Sequence, residues 1–233
     1  MNDDPTPATN AAPATPKCVA TAVFVGDIRP LPDSGRATGM YKTRLHDAVH
    51  LGPLGFAGDH QADLRVHGGP DKAVHLYPPA HLARLADHFP QAAQLLRPGA
   101  IGENLSAELD ESSVRIGQIW SLGESRLQIC QPRNPCWKID ERFGCSGMAA
   151  WIVQTRITGW YWRVVQPGLV RPGDMLCLEH AAPHAPTLLE ALELWHASRS
   201  DAHALRRLAA TAGIAAHWRN KIERRLDWLA GQR

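Results

Sequence analysis

The 233-residue sequence has no apolar run able to cross a bilayer. Its longest stretch without a charged side chain, Phe143 to Thr155, is well short of the roughly 20 residues a spanning helix needs. No Cys-x-x-Cys pair is present, and the five cysteines (18, 130, 136, 145 and 177) are odd in number and far apart. That pattern argues against a disulfide framework or a zinc knuckle and for a reducing compartment. Strong charge of either sign is also missing. A formal net charge of +2 predicts no general affinity for nucleic-acid polymers or anionic membranes, so a cationic site must be local. The opening Met-Asn-Asp-Asp-Pro has neither the basic start nor the apolar core of a secretory signal. A soluble, cytoplasmic protein without a membrane partner is expected.

Hydrophobic content of 44% and charged content of 21% suit a chain that buries a full core. Residues 1–17 are rich in proline and poor in large apolar side chains, which predicts a disordered tail. From Val19–Gly26 to residue 180, short apolar segments alternate with Gly, Pro and Asp/Asn punctuation: Ala48–Leu51, Ala73–Tyr77, Ser113–Ile119, Arg126–Cys130 and Met175–Leu178. This rhythm favours a mainly β sandwich or barrel, with helical insertions at Pro79–Phe89 and Cys145–Ile157. After Pro183 the periodicity becomes helical. Thr187-Leu188-Leu189-Glu190 has the form of a capping box, and helices are expected near 188–198, 201–212 and 215–230. The basic residues of 187–233 are interleaved with acids, as on a solvated helix face and unlike a nucleic-acid stripe.

Three segments carry chemistry. The first, Gln131-Pro132-Arg133-Asn134-Pro135-Cys136-Trp137-Lys138, follows the strand at 126–130. Pro132 is expected to end that strand, and Pro135 fixes its own φ and keeps Asn134 out of the helical region. Cys136 then sits on stiff backbone between Arg133 and Lys138, and nearby cations favour a thiolate, the form that attacks electrophiles or binds metals. The alternative is a buried cysteine acting as a small apolar filler. The second segment packs Asp59, His60, Asp63, Arg65, His67, Asp71, Lys72 and His75 into 17 positions around the turn Gly68-Gly69-Pro70-Asp71. A metal site from His60, His67 and His75 fits no compact spacing. Orientation of loops, or an anion held by Arg65, Lys72 and glycine N–H groups, fits better. The third is Ile101-Gly102-Glu103-Asn104-Leu105. It reads either as a capped turn or as a place where backbone approaches a ligand whose donors Glu103 and Asn104 read out.

In this order, Gly58-Asp59 with Asp63, His67-Gly68-Gly69-Pro70-Asp71-Lys72-Ala73-Val74, Gly102-Glu103-Asn104-Leu105 and Pro132–Lys138 resemble the MOSC domain, named for the C-terminal region of molybdenum cofactor sulfurases. The resemblance covers about 44–180, and a three-helix tail like 187–230 accompanies it in a stand-alone bacterial member. It implies a MOSC-type β-barrel with short helical insertions over 18–183, followed by a C-terminal three-helix domain over 184–233. It also implies a molybdenum cofactor (molybdopterin), a pterin dithiolene with a terminal phosphate. Cys136 would ligate the metal or carry sulfur. Arg133, Lys138, Arg65, His67, Lys72, Gly102, Glu103 and Asn104 would hold the cofactor. Similar enzymes reduce N-hydroxylated bases and related N-oxygenated compounds with electrons from a separate flavoprotein.

A reductase is therefore the leading reading. A sulfur carrier with a Cys136 persulfide is the runner-up, and a storage module without chemistry stands third. Cys136 is expected to be the one essential cysteine, with the other four serving in packing. The 67–72 loop and the 102–104 turn are expected to converge on it. Residues 187–230 are expected to form a separate three-helix unit that covers or flanks the barrel mouth and supplies no metal ligand, so that a chain ending near Pro183 still binds cofactor. The basic surface of Arg206, Arg207, Arg224 and Arg225 would then meet an acidic flavoprotein.

Overall fold

A computed structural model describes residues 17–231. Nearly all of the expected N-terminal tail therefore lies outside the described residues. Seven strands build the body: β1 (Cys18–Val25), β2 (Val74–Leu76), β3 (Leu105–Ala107), β4 (Ile119–Leu122), β5 (Ser125–Pro132), β6 (Trp160–Gln166) and β7 (Met175–His180). Hydrogen bonding runs in the order β7-β4-β5-β6-β2-β3-β1, and β1 pairs again with β7 to close a barrel. All neighbours are antiparallel except β2 and β3. A closed ring with an odd number of strands cannot alternate direction throughout, so one parallel pair is unavoidable.

The barrel interior follows the period of two. Leu127 and Ile129 of β5, Trp120 and Leu122 of β4, and Trp160 and Trp162 of β6 all point inward and are wholly buried. The Trp120 and Trp162 rings meet edge to face with centroids 6.3 Å apart, a favoured aromatic geometry. The β6 strand was not among the sequence expectations, although Trp160-Tyr161-Trp162 carries the same alternation. Pairing of β5 continues to Pro132, opposite Trp160, and the Arg133 N–H still donates to Gly159 O at 2.9 Å. Pro132 thus closes the strand from inside it. Of the expected strand 113–119 only Ile119 joins the sheet; the preceding residues turn, with Arg115 bridging to Thr187.

Outside the barrel, α1 (Pro79–His88), α2 (Lys138–Phe143) and α3 (Met148–Thr155) share a second cluster built from Tyr77, Leu85, Ile101, Ile139, Met148 and Ile152. The chain that follows Cys136 therefore enters a helix, which Gly144 ends in the left-handed conformation at φ 63°.

The tail helices are α4 (Leu188–His196), α5 (Ala202–Ala209) and α6 (Ala216–Gly231). The capping box forms: Glu190 N donates to Thr187 Oγ1 at 3.1 Å, and Thr187 N donates to Glu190 Oε2 at 2.7 Å. These helices do not stand apart from the barrel. Leu188, Leu205, Leu208, Ile214, Trp218 and Ile222 belong to the same buried cluster as Trp120, Trp160 and Trp162. Ala215 N also donates to Cys130 O at 2.9 Å, and Leu188 N to Val114 O at 3.0 Å.

The cysteine expectation needs correction. Cys18 and Cys177 are directly paired residues of β1 and β7 and are joined by a disulfide at the barrel seam, with Cα atoms 4.1 Å apart. They are a covalent staple, where packing residues and a wholly reduced chain were expected. Spacing in sequence, 159 residues, gave no sign of a register that brings them face to face. Closing so long a loop restricts the unfolded chain by roughly 2–4 kcal/mol. Reduction, or Cys177→Ser, is accordingly expected to lower the thermal midpoint by several degrees; a midpoint unchanged by reductant would show that the staple is not formed in solution. Among the described residues no helix is long and apolar enough to cross a membrane.

Candidate active site

The strand registers place Pro132, Trp160, Leu76, Leu105 and Val23 at one end of the barrel. The chain leaving each of these positions builds the rim of a cleft there. Its inner part is lined by Lys42, Asp59, His67, Lys72, His75, Gly102, Asn104, Arg133, Cys136, Lys138 and Tyr161. The 67–72 loop and the 102–104 turn thus meet Cys136 at one mouth, as expected. A wider outer chamber shares His67, Lys72, Arg133, Cys136, Lys138 and Tyr161, and is bordered on its far side by α4 and α6.

Cys136 is half-buried, whereas Cys130 and Cys145 are buried. The Cys130 thiol donates to Asp71 O at 3.1 Å, and burial pushes it far above the usual thiol range. Cys136 is therefore the described free thiol that reaches the cleft.

Arg133, only 7% exposed, donates from Nη2 to Ile101 O at 3.2 Å, while its buried Nη1 has no partner. A buried guanidinium with an unused donor is an anion receptor in waiting, since leaving it unsatisfied is costly. Lys138 Nζ donates to Ala37 O at 2.7 Å and Lys72 Nζ to Val66 O. Each ammonium keeps further donors for a ligand. The Arg65 side chain lies outside the described residues.

Behind this cationic wall runs a buried polar network. Asp59 pairs with Lys42, and both side chains are almost wholly covered. Asp59 also accepts from Gly26 N at 3.0 Å and Asn104 Nδ2 at 2.9 Å, and Asn104 Oδ1 accepts from His75 N at 3.1 Å. Asn104 therefore orients strand β2 and the 59–62 loop together. Burial, helped by the Arg133 charge, holds the His75 imidazole well below its ordinary range. Gly102 sits at φ +86°, and a Cβ there would meet Met40 Cγ at 3.1 Å, so the turn demands glycine.

One expected ligand residue faces elsewhere. Glu103 is completely buried, outside the cleft, and its carboxylate accepts from Gly99 N at 2.6 Å and Ile101 N at 3.0 Å. Burial pushes it up to about 7 in spite of those bonds. Its work is to tie the 99–101 turn that aims Gly102 and Asn104. Sequence reading missed Lys42, Met40 and Tyr161. Gly39 was the available signal: a Cβ there would lie 2.4 Å from His60 O, so the 38–42 segment is wedged against the 59–61 loop. The three histidines of the discarded metal site do share the inner lining. Among the described residues, however, no three His, Cys, Asp or Glu side chains form a group able to hold an ion.

His67 gives a pH prediction. Burial first, then the charges of Arg133, Lys138 and Lys72, lower it to about 4. An unfolded His67 takes a proton below about 6.5, while the folded one stays neutral down to about 4. Its contribution is complete above pH 6.5 and is lost as pH falls toward 4. In urea unfolding at pH 7 and 5, His67→Gln is expected to lose less stability than the parent. Parallel losses would assign the acid limb to another group.

This barrel with a cysteine-and-cation cleft at its mouth defines the chain's class: it belongs to the MOSC family. A MOSC domain matches residues 63–176, and a YiiM-like 3-alpha helix domain matches 186–227. The chain is 35% identical over 204 residues to Protein YiiM of Escherichia coli (strain K12), covering 87% of this chain and 90% of that one. The crystal structure of YiiM from Escherichia coli is similar at a TM-score of 0.77 and 31% identity, over 93% of this chain and 94% of that one. A protein named reductase from Gibberella moniliformis is 32% identical over 172 residues, 72% of this chain but 30% of that one.

Proposed function

We propose that this protein is a molybdenum-cofactor-dependent reductase of N-hydroxylated bases and related N-oxygenated compounds, supplied with electrons by a separate flavoprotein. The observation that carries the reading is the pairing of a half-buried Cys136 with the unpartnered Arg133 Nη1 in one cleft. The residues fit the cofactor. One soft thiol suits a metal that already brings sulfur ligands with its pterin, and would hold a bare ion poorly. Arg133, Lys72 and Lys138 suit the anionic dithiolene and phosphate. Gly102 lets backbone approach a flat ring closely. The name of the fungal relative agrees with reductive chemistry.

When bound, the cofactor supplies the two-electron chemistry that cleaves an N–O bond. Each turnover takes two electrons and two protons and releases the amine and water. Cys136 Sγ fixes the metal relative to the barrel. Arg133 and Lys138 bind negative charge, and the Asp59–Asn104–His75 network keeps their wall rigid. Tyr161 holds its phenolic proton, because burial raises it despite Arg133, and so presents an O–H donor to the cleft. Arg206, Arg207 and Arg224 are exposed and remain the proposed docking surface for the donor. Arg225 is engaged internally: it donates to Trp195 O and Ser200 Oγ and packs over the Trp195 ring at 5.1 Å. Protein purified from a cofactor-competent host is expected to carry molybdenum and pterin in equal amounts and to reduce an N-hydroxylated purine with a flavoprotein donor. Metal-free protein from such a host would overturn the reading.

A further inference from the structure

The outer chamber adds two cations, Arg36 and Lys221, to those that the reductase reading uses. Arg36, Lys72, Arg133, Lys138 and Lys221 line it, with Asp63 as the lone acid in its wall. None of these five cations forms an ion pair with a carboxylate among the described residues. In a chain of net charge +2 this is a marked local concentration. It sits where the barrel rim meets the tail helices.

The position of α6 is fixed. Asp71 Oδ1 pairs with Arg163, and Asp71 Oδ2 accepts from Ala216 N at 3.0 Å, which docks the first turn of α6 beside the 70–72 turn. His217 and Lys221 are four residues apart and so share one face of α6. Trp218 and Ile222, one residue further on in each turn, are buried in the common core. That packing holds His217 and Lys221 toward the chamber, where Lys72 faces them. Lys221 makes no hydrogen bond among the described residues, and its charge depresses Lys72 after burial does. Burial first, then the charges of Lys221 and Lys72, lower His217. Like charges that outnumber the acids around them are unfavourable unless an anion joins them. Aromatic side chains, Trp137, Trp195 and Tyr161, complete the wall.

We propose that Lys221 and His217 of α6, together with Lys72, form a phosphate-monoester subsite, so that the three-helix unit supplies ligand-binding side chains to the cleft. The aromatic wall specifies that the phosphate arrives on a heteroaromatic ligand. Two sources share this chemistry: a nucleotide carrying the base to be reduced, and the pterin itself. A nucleotide source rests on the reductase reading, but the subsite stands without it.

The test uses the full chain and does not depend on turnover. AMP, as a probe, is titrated calorimetrically against adenosine, and pterin content is measured on the same preparations. AMP is expected to bind at least about tenfold more tightly than adenosine, and Lys221→Ala to remove that difference while Lys221→Arg keeps it. That outcome assigns the phosphate to a nucleotide. Reduced pterin retention in Lys221→Ala, restored in Lys221→Arg, assigns it to the cofactor and equally supports the subsite. Unchanged AMP binding and unchanged pterin content in Lys221→Ala and His217→Ala would overturn the proposal. A protein lacking molybdenum that still distinguishes AMP from adenosine through Lys221 would sink the reductase reading alone.

Discussion

Cys136→Ala is expected to yield a folded protein that retains no molybdenum and reduces no N-hydroxylated substrate. Cys136 is half-buried at the cleft and belongs to neither buried core cluster, so its loss should change stability by no more than about 1 kcal/mol. The functional loss should be complete, because no second thiol can replace it. Cys130 is wholly buried with its proton engaged by Asp71 O, and the Cys145 thiol is directed at Phe143 O. Cys145→Ala and Cys18→Ser should keep activity, and Cys130→Ala should keep it at some expense in stability. The readouts are metal per chain, pterin per chain and turnover, with a thermal midpoint as the folding control. Full turnover in Cys136→Ala would end the mechanism. A variant that keeps its metal but no longer passes sulfur to an acceptor would favour the carrier reading instead.

Arg133 belongs to the same argument. Its guanidinium is buried beside two lowered histidines, and its Nη1 has no partner among the described residues. Arg133→Met keeps the apolar stem and removes the charge. It should weaken cofactor retention sharply, and it should let His67 move back toward its ordinary value.

The strands that alternate strictly were legible from the residues. Leu127, Ile129 and Val23 fall where a period of two places them, and the tail helices lie within a few residues of their expected limits. Convergence of 67–72 and 102–104 on Cys136 was also legible, but only from the order of the motifs that resembles the MOSC domain, since 102–104 by itself reads as a capped turn. Three features were hidden, two because they depend on bringing distant segments together and one because neighbouring backbone competes for a side chain. The Cys18–Cys177 pair exists only because β1 and β7 close the ring. Lys42 becomes a site residue only because Asp59 is carried to it. Glu103 looked like a reader of ligand donors, yet two backbone N–H groups four residues or fewer away claim its carboxylate first. How far the tail shares the barrel's core was hidden for a related reason. Helical periodicity shows which face is apolar but not which surface covers it.

That surface is the barrel, and it sets the second large effect. A chain ending at Pro183 is expected to lose cooperative folding, contrary to what a Pro-marked boundary implies. Leu188, Leu205, Leu208, Ile214, Trp218 and Ile222 are all buried in the cluster that contains the barrel tryptophans. Burying each such side chain contributes roughly 1.5–3 kcal/mol, and together they match or exceed the roughly 5–15 kcal/mol by which a whole domain is stable. Truncation also uncovers their partners on the barrel and leaves Cys130 O without the Ala215 N–H. The shortened chain should therefore be insoluble, or expanded and without a cooperative thermal transition. A single substitution probes the same contact without removing the tail. Trp218→Ala should cost about 3–5 kcal/mol and lower the midpoint by ten degrees or so. A truncated chain that melts cooperatively and holds cofactor would show that the shared cluster contributes little and that the three helices are an independent unit after all.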